Sequence, residues 1–431
     1  MALTGRAGLL ALAGALVVGL LLPHWTGVLV VSGVVLAGVL ADLLLAGSVR
    51  RLGFSRSGAT AVRLGEEAEV TLRVRNPGRR AVRGTLRDAW PPSASARTGR
   101  QPIDVPQGQA RQIVTVLRPT RRGDRRASRV TVRATGPLGL AARQGSHEVP
   151  WTVRALPPFH SRRHLPGRLD RLRELDGRSA ALVRGQGTEF DSLREYVAGD
   201  DVRSIDWRAT ARAADVMVRT WRPERDRHVV LVLDTGRTAA GRVGDGTRLD
   251  AAMDAALLLA ALASRAGDRV DLLAYDRQVR ASVQGAPAGS LLPALVEAMA
   301  PLEPALVESD ARGMVGEVLR RTRRRSLVVL VTGLDPAPIE QGLLPVLPSL
   351  TARHRLLLAA VADPVVAEMA RGRGDAEAVY GAAAAERTLA ERRHVTALLG
   401  RHGAEVVDAV PEELSPALAD RYLALKAAGR L

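Results

Sequence analysis

Between Gly185 and Asp234 the chain gathers Glu189, Arg194, Glu195, Asp200, Asp201, Arg203, Asp206, Arg208 and Arg212, with Phe190, Tyr196, Gly199 and Trp207 among them. Carboxylates this dense could include a general acid–base pair, one protonated and one ionised. Four arginines interleave them. A guanidinium grips a carboxylate through two parallel hydrogen bonds, which suits a structural clasp or a partner-facing surface better than proton transfer. Tyr196 and Trp207 read as buried anchors that pack the segment onto a neighbouring sheet. Other catalytic chemistries lack their motifs: there is no G-x-x-x-x-G-K-[ST], no H-E-x-x-H and no G-x-S-x-G. Gly185 and Gly187 alone are too short to be a phosphate loop. His160 and His164 have the spacing of a helical metal pair, but no third ligand stands near and arginines surround both. The expectation is a protein that is not an enzyme.

The segment runs into an apolar strand, His228–Leu233, that ends on Asp234. Strand and helix patterns then alternate. Strands are expected over 269–275, 278–283, 326–331, 355–361 and 404–407. Helices are expected near 249–266, 291–299, 312–321 and 383–399, with one more at the end. This predicts a doubly wound α/β sheet over 227–431 with one antiparallel edge. Ligands of such sheets sit beyond the carboxyl ends of the strands, where Asp234 and Thr332–Asp335 fall. Residues 55–156 alternate with period two in short runs, such as Val70, Leu72 and Val74, between turn signals at Asn76-Pro77-Gly78 and Gly136-Pro137-Leu138-Gly139. They predict a basic antiparallel β-sandwich. Residues 157–226 are expected to form a linker helix followed by the polar segment.

No charged residue lies between Arg6 and Asp42. A single helix over that gap would be ~52 Å long, too long for ~30 Å of hydrocarbon. Pro23, His24, Trp25 and Thr26 break it, so residues 1–49 predict a transmembrane helical hairpin with Trp25 at the interface. Arg6 before it and Arg50, Arg51 and Arg56 after it place both ends, and the soluble domains, in the cytoplasm of a two-pass cell-membrane protein. Asp42 is expected to face the interface. The net charge of +17 is uneven: residues 50–178 hold 28 Arg against 10 Asp and Glu, a net of +18. Basic residues beside a membrane are worth ~1 kcal/mol each at an anionic leaflet. Anionic lipids are therefore the expected partner rather than nucleic acid, with nucleic-acid binding by the basic region as an alternative. The chain has no cysteine, which excludes disulfides and thiolate metal sites.

The run G-x-E-F-x-x-L-R-E-Y-x-x-G-D-D-x-R-x-I-D-W-R-A-x-A-R at Gly187–Arg212 closely resembles the signature of the bacterial domain-of-unknown-function-58 family. The resemblance implies a multidomain protein: an N-terminal transmembrane helical hairpin, an antiparallel β-sandwich, then an α/β doubly wound von Willebrand factor A-like domain. It also implies an adaptor or scaffold that partners a MoxR-type AAA+ ATPase. A metal-dependent hydrolase using the signature carboxylates is the alternative. Domains of the von Willebrand A type often hold Mg²⁺ at a D-x-S-x-S loop, with a Thr and an Asp from two other loops. Here Asp234 and Thr238 match, Gly236 lacks a hydroxyl, and Thr332 and Asp335 stand for the other two. Arg237 adds a positive charge. The expectation is a degraded site without a cofactor, in which Asp234 caps its turn or pairs with a signature arginine.

Overall fold

The computed structural model describes residues 2–21, 23–97, 99–182, 189–213, 215–222 and 227–431, the side chains of 176–182, 189–191 and 220–222 excepted. It divides into two compact units, Met1–Leu156 and Pro157–Leu431.

In the first unit the apolar N-terminus forms α1 (Gly5–Leu21) and α2 (Trp25–Leu45). They are separated at Pro23, which has no amide donor to continue a helix. The helices meet at Gly14, where a Cβ would stand 2.5 Å from Val31 Cγ1. Their apolar side chains face outward, Leu20 at 79% exposure and Leu36 at 69%. The helical stretch Trp25–Arg51 is long and apolar enough to cross a membrane, whereas α1 has 17 residues.

The longer strands that follow are β1 (Gly53–Gly58), β2 (Ala68–Arg75), β3 (Val82–Ala89), β4 (Arg100–Val105), β5 (Ala110–Leu117), β6 (Gly123–Thr135) and β7 (Ala141–Leu156), and the short strand Ala61–Arg63 pairs in parallel with β7. One sheet has the order β7-β6-β3-β4 and the other β1-β2-β5. The alternating side chains of both sheets meet in one core, with Leu72, Val74 and Ile113 from one and Val82, Leu86, Val130 and Val132 from the other.

Asp42, near the end of α2, does not point outward. It is fully buried and accepts backbone N–H bonds from Leu138 (2.7 Å), Leu140 (2.7 Å) and Ala141 (2.8 Å). Three amides aimed at one carboxylate can replace its water. Gly136 admits the approach, because a Cβ there would overlap the carboxylate. The start of α1 is tied to the same turn: Thr4 Oγ1 donates to Gly139 O at 2.6 Å, and Ala2–Leu3 pairs with Ala141–Ala142.

The second unit opens with α3 (Leu165–Leu182). A hairpin follows, made of β8 (Glu189–Glu195), the single turn α4 (Trp207–Thr210) and β9 (Met217–Arg222). Then come β10 (His228–Asp234), α5 (Arg248–Arg265), β11 (Arg269–Tyr275), β12 (Val279–Val283), α6 (Ala288–Met299), α7 (Ala311–Arg321), β13 (Leu327–Val331), β14 (Arg355–Val361), α8 (Ala376–Arg401), β15 (Ala404–Ala409) and α9 (Pro411–Ala427). The sheet order is β12-β11-β10-β13-β14-β15, parallel except for β12. Its central strands are near-continuous apolar runs because helices cover both faces. Accordingly Val229–Leu233 and Leu327–Val331 are buried throughout. Helix α5 starts at a capping box in which the Thr247 side chain and Asp250 serve each other's backbone amides.

Candidate functional site

Asp234 is the last residue of β10 and is 6% exposed. Its carboxylate collects four donors. Gly236 N–H donates to Oδ1 at 2.8 Å and Ser309 Oγ donates to the same oxygen. Thr332 Oγ1 donates to Oδ2 at 2.6 Å and Thr238 Oγ1 at 3.1 Å. The carboxylate does cap its own turn through Gly236, but no signature arginine reaches it among the described residues. Thr332 arrives here because β13 lies beside β10 in parallel register, so the two strands end together.

Ser309 escaped the sequence reading. It precedes α7, 75 residues from Asp234, and only the crossover through β11, β12 and α6 returns it to this end of the sheet. A Cβ on Gly236 would overlap Ser309 Oγ. Ser309 therefore occupies the place that a side chain at 236 would take, and it supplies a hydroxyl where position 236 has none. A serine beside an acid in a loop, Glu308-Ser309-Asp310, was the only local signal.

Asp335 lies across Gly333 from Thr238: a Cβ on Gly333 would stand 2.5 Å from Asp335 Oδ2 and 3.1 Å from Thr238 Cβ. Asp335 Oδ2 is enclosed without a hydrogen bond and has only Arg248 Nη1 at 3.7 Å. Arg237 pairs with Glu308 at 2.7 Å. Asp234, Thr238, Ser309 and Thr332, with Arg237 and Glu308, line a pocket of about 230 Å³ whose walls include Met314, Leu330, Ile339 and Leu343.

A hard divalent cation takes carboxylate, hydroxyl and water oxygens. A hydroxyl that gives its proton to a carboxylate keeps its lone pairs for such an ion. Thr238, Ser309 and Thr332 all meet that condition, and the space between Thr238 and the orphaned Asp335 oxygen is kept open by Gly333. The donor set fits Mg²⁺ or Mn²⁺. No group of three His, Asp or Glu gathers as a metal cluster among the described residues, so a cation here depends on the hydroxyls.

The signature forms an arm in which Asp200, Asp201 and Asp206 bond to groups of the arm itself. Asp200 accepts from Arg194 Nη2 at 2.6 Å and from Val197 N–H at 3.0 Å. The turn between them needs Gly199, at φ +109°. Asp201 caps the Arg203 amide at 2.9 Å. Asp206 accepts from Arg208 N–H and Ala209 N–H, each at 3.0 Å, and from Arg219 Nε at 2.7 Å. The Arg194 bond, then the Val197 amide, hold the Asp200 carboxyl below its usual range. The Ala209 amide, then Arg219, do the same for Asp206. Neither is set to deliver a proton near neutral pH.

Trp207 and Tyr196 are not the buried anchors expected. Trp207 is 69% exposed and Tyr196 37%. The short turn α4 points its aromatic residue outward, because Asp206 spends its bonds on the turn itself and on β9. Glu195, Arg203, Arg208 and Arg212 are exposed too. Glu189 and Phe190 lie outside the residues whose side chains are described. His160 and His164 begin and end a 3₁₀ segment rather than sharing an α-helical face, and His164 Nε2 accepts from Arg163 Nε at 3.2 Å.

Residues 192–393 match the sequence model of a family described as protein of unknown function DUF58. Uncharacterized proteins of Mycobacterium bovis and Mycobacterium tuberculosis are 28% identical to the chain over 193 residues, 44% of this chain and 60% of theirs. The chain thus spans 60% of the length of these curated relatives. Among solved structures, a CARDB domain from Pyrococcus furiosus, in complex with di-metal ions, is 15% identical with a TM-score of 0.20, covering 24% of this chain and 91% of that one. A β-glucosidase from Erythrobacter marinus is 17% identical with a TM-score of 0.16, covering 24% of this chain and 15% of that one. Scores this low bear on neither fold nor function.

Proposed function

We propose that the chain is a membrane-attached adaptor, not an enzyme, whose second unit is a von Willebrand factor A-like domain binding a divalent cation at Asp234 to hold a carboxylate of a protein partner. The observation that carries this reading is the saturation of one near-buried carboxylate by three hydroxyls and an amide at the floor of an open pocket. A bound Mg²⁺ or Mn²⁺ supplies a coordination position that accepts an external carboxylate. Asp234 orients the hydroxyls of Thr238, Ser309 and Thr332, Asp335 adds negative charge, and the apolar wall excludes water from one side. The arm at 189–222 offers the partner a second contact through exposed Trp207, and the partner implied by the family resemblance is a MoxR-type AAA+ ATPase.

The membrane part rests on the outward apolar faces of α1 and α2. Their far ends are both tied to the 136–141 turn, which suits two passes with both ends on one side. Basic residues after the helices favour the cytoplasmic, anionic leaflet.

Mn²⁺ titration of the full chain in nanodiscs, followed by electron paramagnetic resonance, tests the cation. Binding that Asp234→Ala abolishes supports the site, and equal binding by both proteins refutes it. Crosslinked capture of an AAA+ ATPase from membranes, lost with EDTA and with Asp234→Ala, tests the partner. Capture indifferent to both removes the cation from the interface.

A further inference from the structure

The opposite end of the same sheet carries a different pocket. About 470 Å³ in volume, it is lined by Arg323, Arg324, Arg325, Arg353, Thr322 and His354, and no carboxylate lines it. Arg323–Arg325 lead into β13, and Arg353 and His354 lead into its parallel neighbour β14. Arg325 and Thr332 bracket β13, so ~17 Å of strand separates this pocket from the Asp234 site.

We propose that this pocket binds a small phosphate-bearing anion through the guanidinium groups of Arg323, Arg325 and Arg353, against a wall formed by Thr322 and His354. Nearby arginines have acids: Arg355 pairs with Glu405 at 2.7 Å, Arg321 with Glu317, and Arg269 with Asp271 at 3.4 Å. No such partner is described for Arg323, Arg325 or Arg353. Like charges gathered in one hollow repel, and a multivalent anion reverses that cost. Guanidinium forks match phosphate oxygens, and phosphate offers more acceptors than a carboxylate, so it can engage several forks at once. No Phe, Tyr or Trp lines the pocket, and the His354 ring is buried, which leaves no exposed ring for a base to stack on and disfavours nucleic acid.

The wall supplies the second observation. His354 is 3% exposed, yet its Nδ1 has no hydrogen-bond partner. Thr322 Oγ1 gives its one proton to Val318 O at 2.7 Å and stands 3.1 Å from His354 Nε2. It must therefore accept from Nε2–H, which leaves Nδ1 as a buried lone pair. Burial, then the adjacent Arg353, then His228 hold this imidazole below its usual range. An anion between the guanidiniums offsets the part of that shift that comes from Arg353.

The test is calorimetric titration of pyrophosphate into the full chain in zwitterionic nanodiscs. Wild type is expected to bind saturably, and Arg325→Ser/Arg353→Ser to bind at least tenfold more weakly. Arg371→Ser, an exposed change elsewhere, should bind as wild type does. The altered arginines are solvent-exposed, so thermal melts of all variants should coincide and show that they fold. Short-chain phosphatidate competing against pyrophosphate points to a lipid headgroup as the source of the phosphate, and no competition points to a free anion. The proposal is overturned if pyrophosphate does not bind, if the double variant binds equally well, or if only an acidic peptide shows the arginine dependence.

Discussion

Replacing Gly236 by Ser and Ser309 by Ala, singly and together, probes whether Ser309 stands in for the missing hydroxyl at 236. In Gly236→Ser the new Cβ overlaps Ser309 Oγ and comes 2.9 Å from Val307 O. Overpacking of that kind costs ~1–3 kcal/mol. The backbone itself is no obstacle, since Gly236 has φ −79°. Ser309→Ala removes a hydrogen bond to a buried carboxylate, worth ~1.5–3 kcal/mol. Independent effects would sum to ~2.5–6 kcal/mol. In the double variant the main overlap is gone, and the Cβ at 236 lies 3.2 Å from Asp234 Oδ1, so its hydroxyl can serve that oxygen. The remaining approach to Val307 O keeps the cost near ~1–3 kcal/mol. A unit of this size loses ~2–4 °C per kcal/mol, so thermal unfolding of the full chain separates the outcomes. Mn²⁺ affinity should weaken in Ser309→Ala and recover in the double variant. Effects that add within ~0.5 kcal/mol, or a Gly236→Ser protein that melts higher than wild type, would refute the substitution of one hydroxyl by the other.

Asp42→Asn retains the shape of the side chain but turns a donor toward one of three amides, an unsatisfied buried group worth ~1–3 kcal/mol. Faster hydrogen exchange at Leu138, Leu140 and Ala141 should report it. Trp207→Ser should leave the melting temperature almost unchanged, because the indole is 69% exposed. A buried anchor would cost ~3–5 kcal/mol, so a large drop in the melt contradicts the outward arm. The Asp271 carboxyl is pushed up by burial, but hydrogen bonds from His228 and from Gly285 N–H outweigh this and hold it below its usual range. Its folded value lies under the unfolded one, so its contribution is present above about pH 4 and is lost as pH falls through the folded value. Asp271→Asn should flatten the acid limb of the stability–pH curve, and an unchanged limb would exclude this carboxylate as a source of acid sensitivity.

The central strands of the α/β unit were legible because each is a short apolar run closed by a turn, and covering helices demand that pattern on both faces. Helix ends were less so: the expected helix 383–399 extends over Ala376–Arg401, beginning where Asp375 caps Ala378 N–H. Trp207 misled, since aromatic residues beside a sheet usually enter its core. Nothing local reveals that Asp206 commits its oxygens to the arm and turns the indole out. Asp42 misled in the other direction. Its position near a helix end suggests a side chain facing the interface, and its three amides come from a turn almost a hundred residues away.

By itself the sequence determined what is local and periodic. That includes the apolar N-terminal helices, the alternating β segment, the strand–helix succession and the arginine–carboxylate signature that marks the resemblance. The tertiary structure decided which distant polar groups share a carboxylate. Thr332 reaches Asp234 because parallel strands of one sheet end at the same level, and Ser309 because the crossover before α7 returns the chain to that end. Hydrogen bonds are satisfied in space, over ~3 Å, and separation along the chain carries no information about that distance until the sheet order is known.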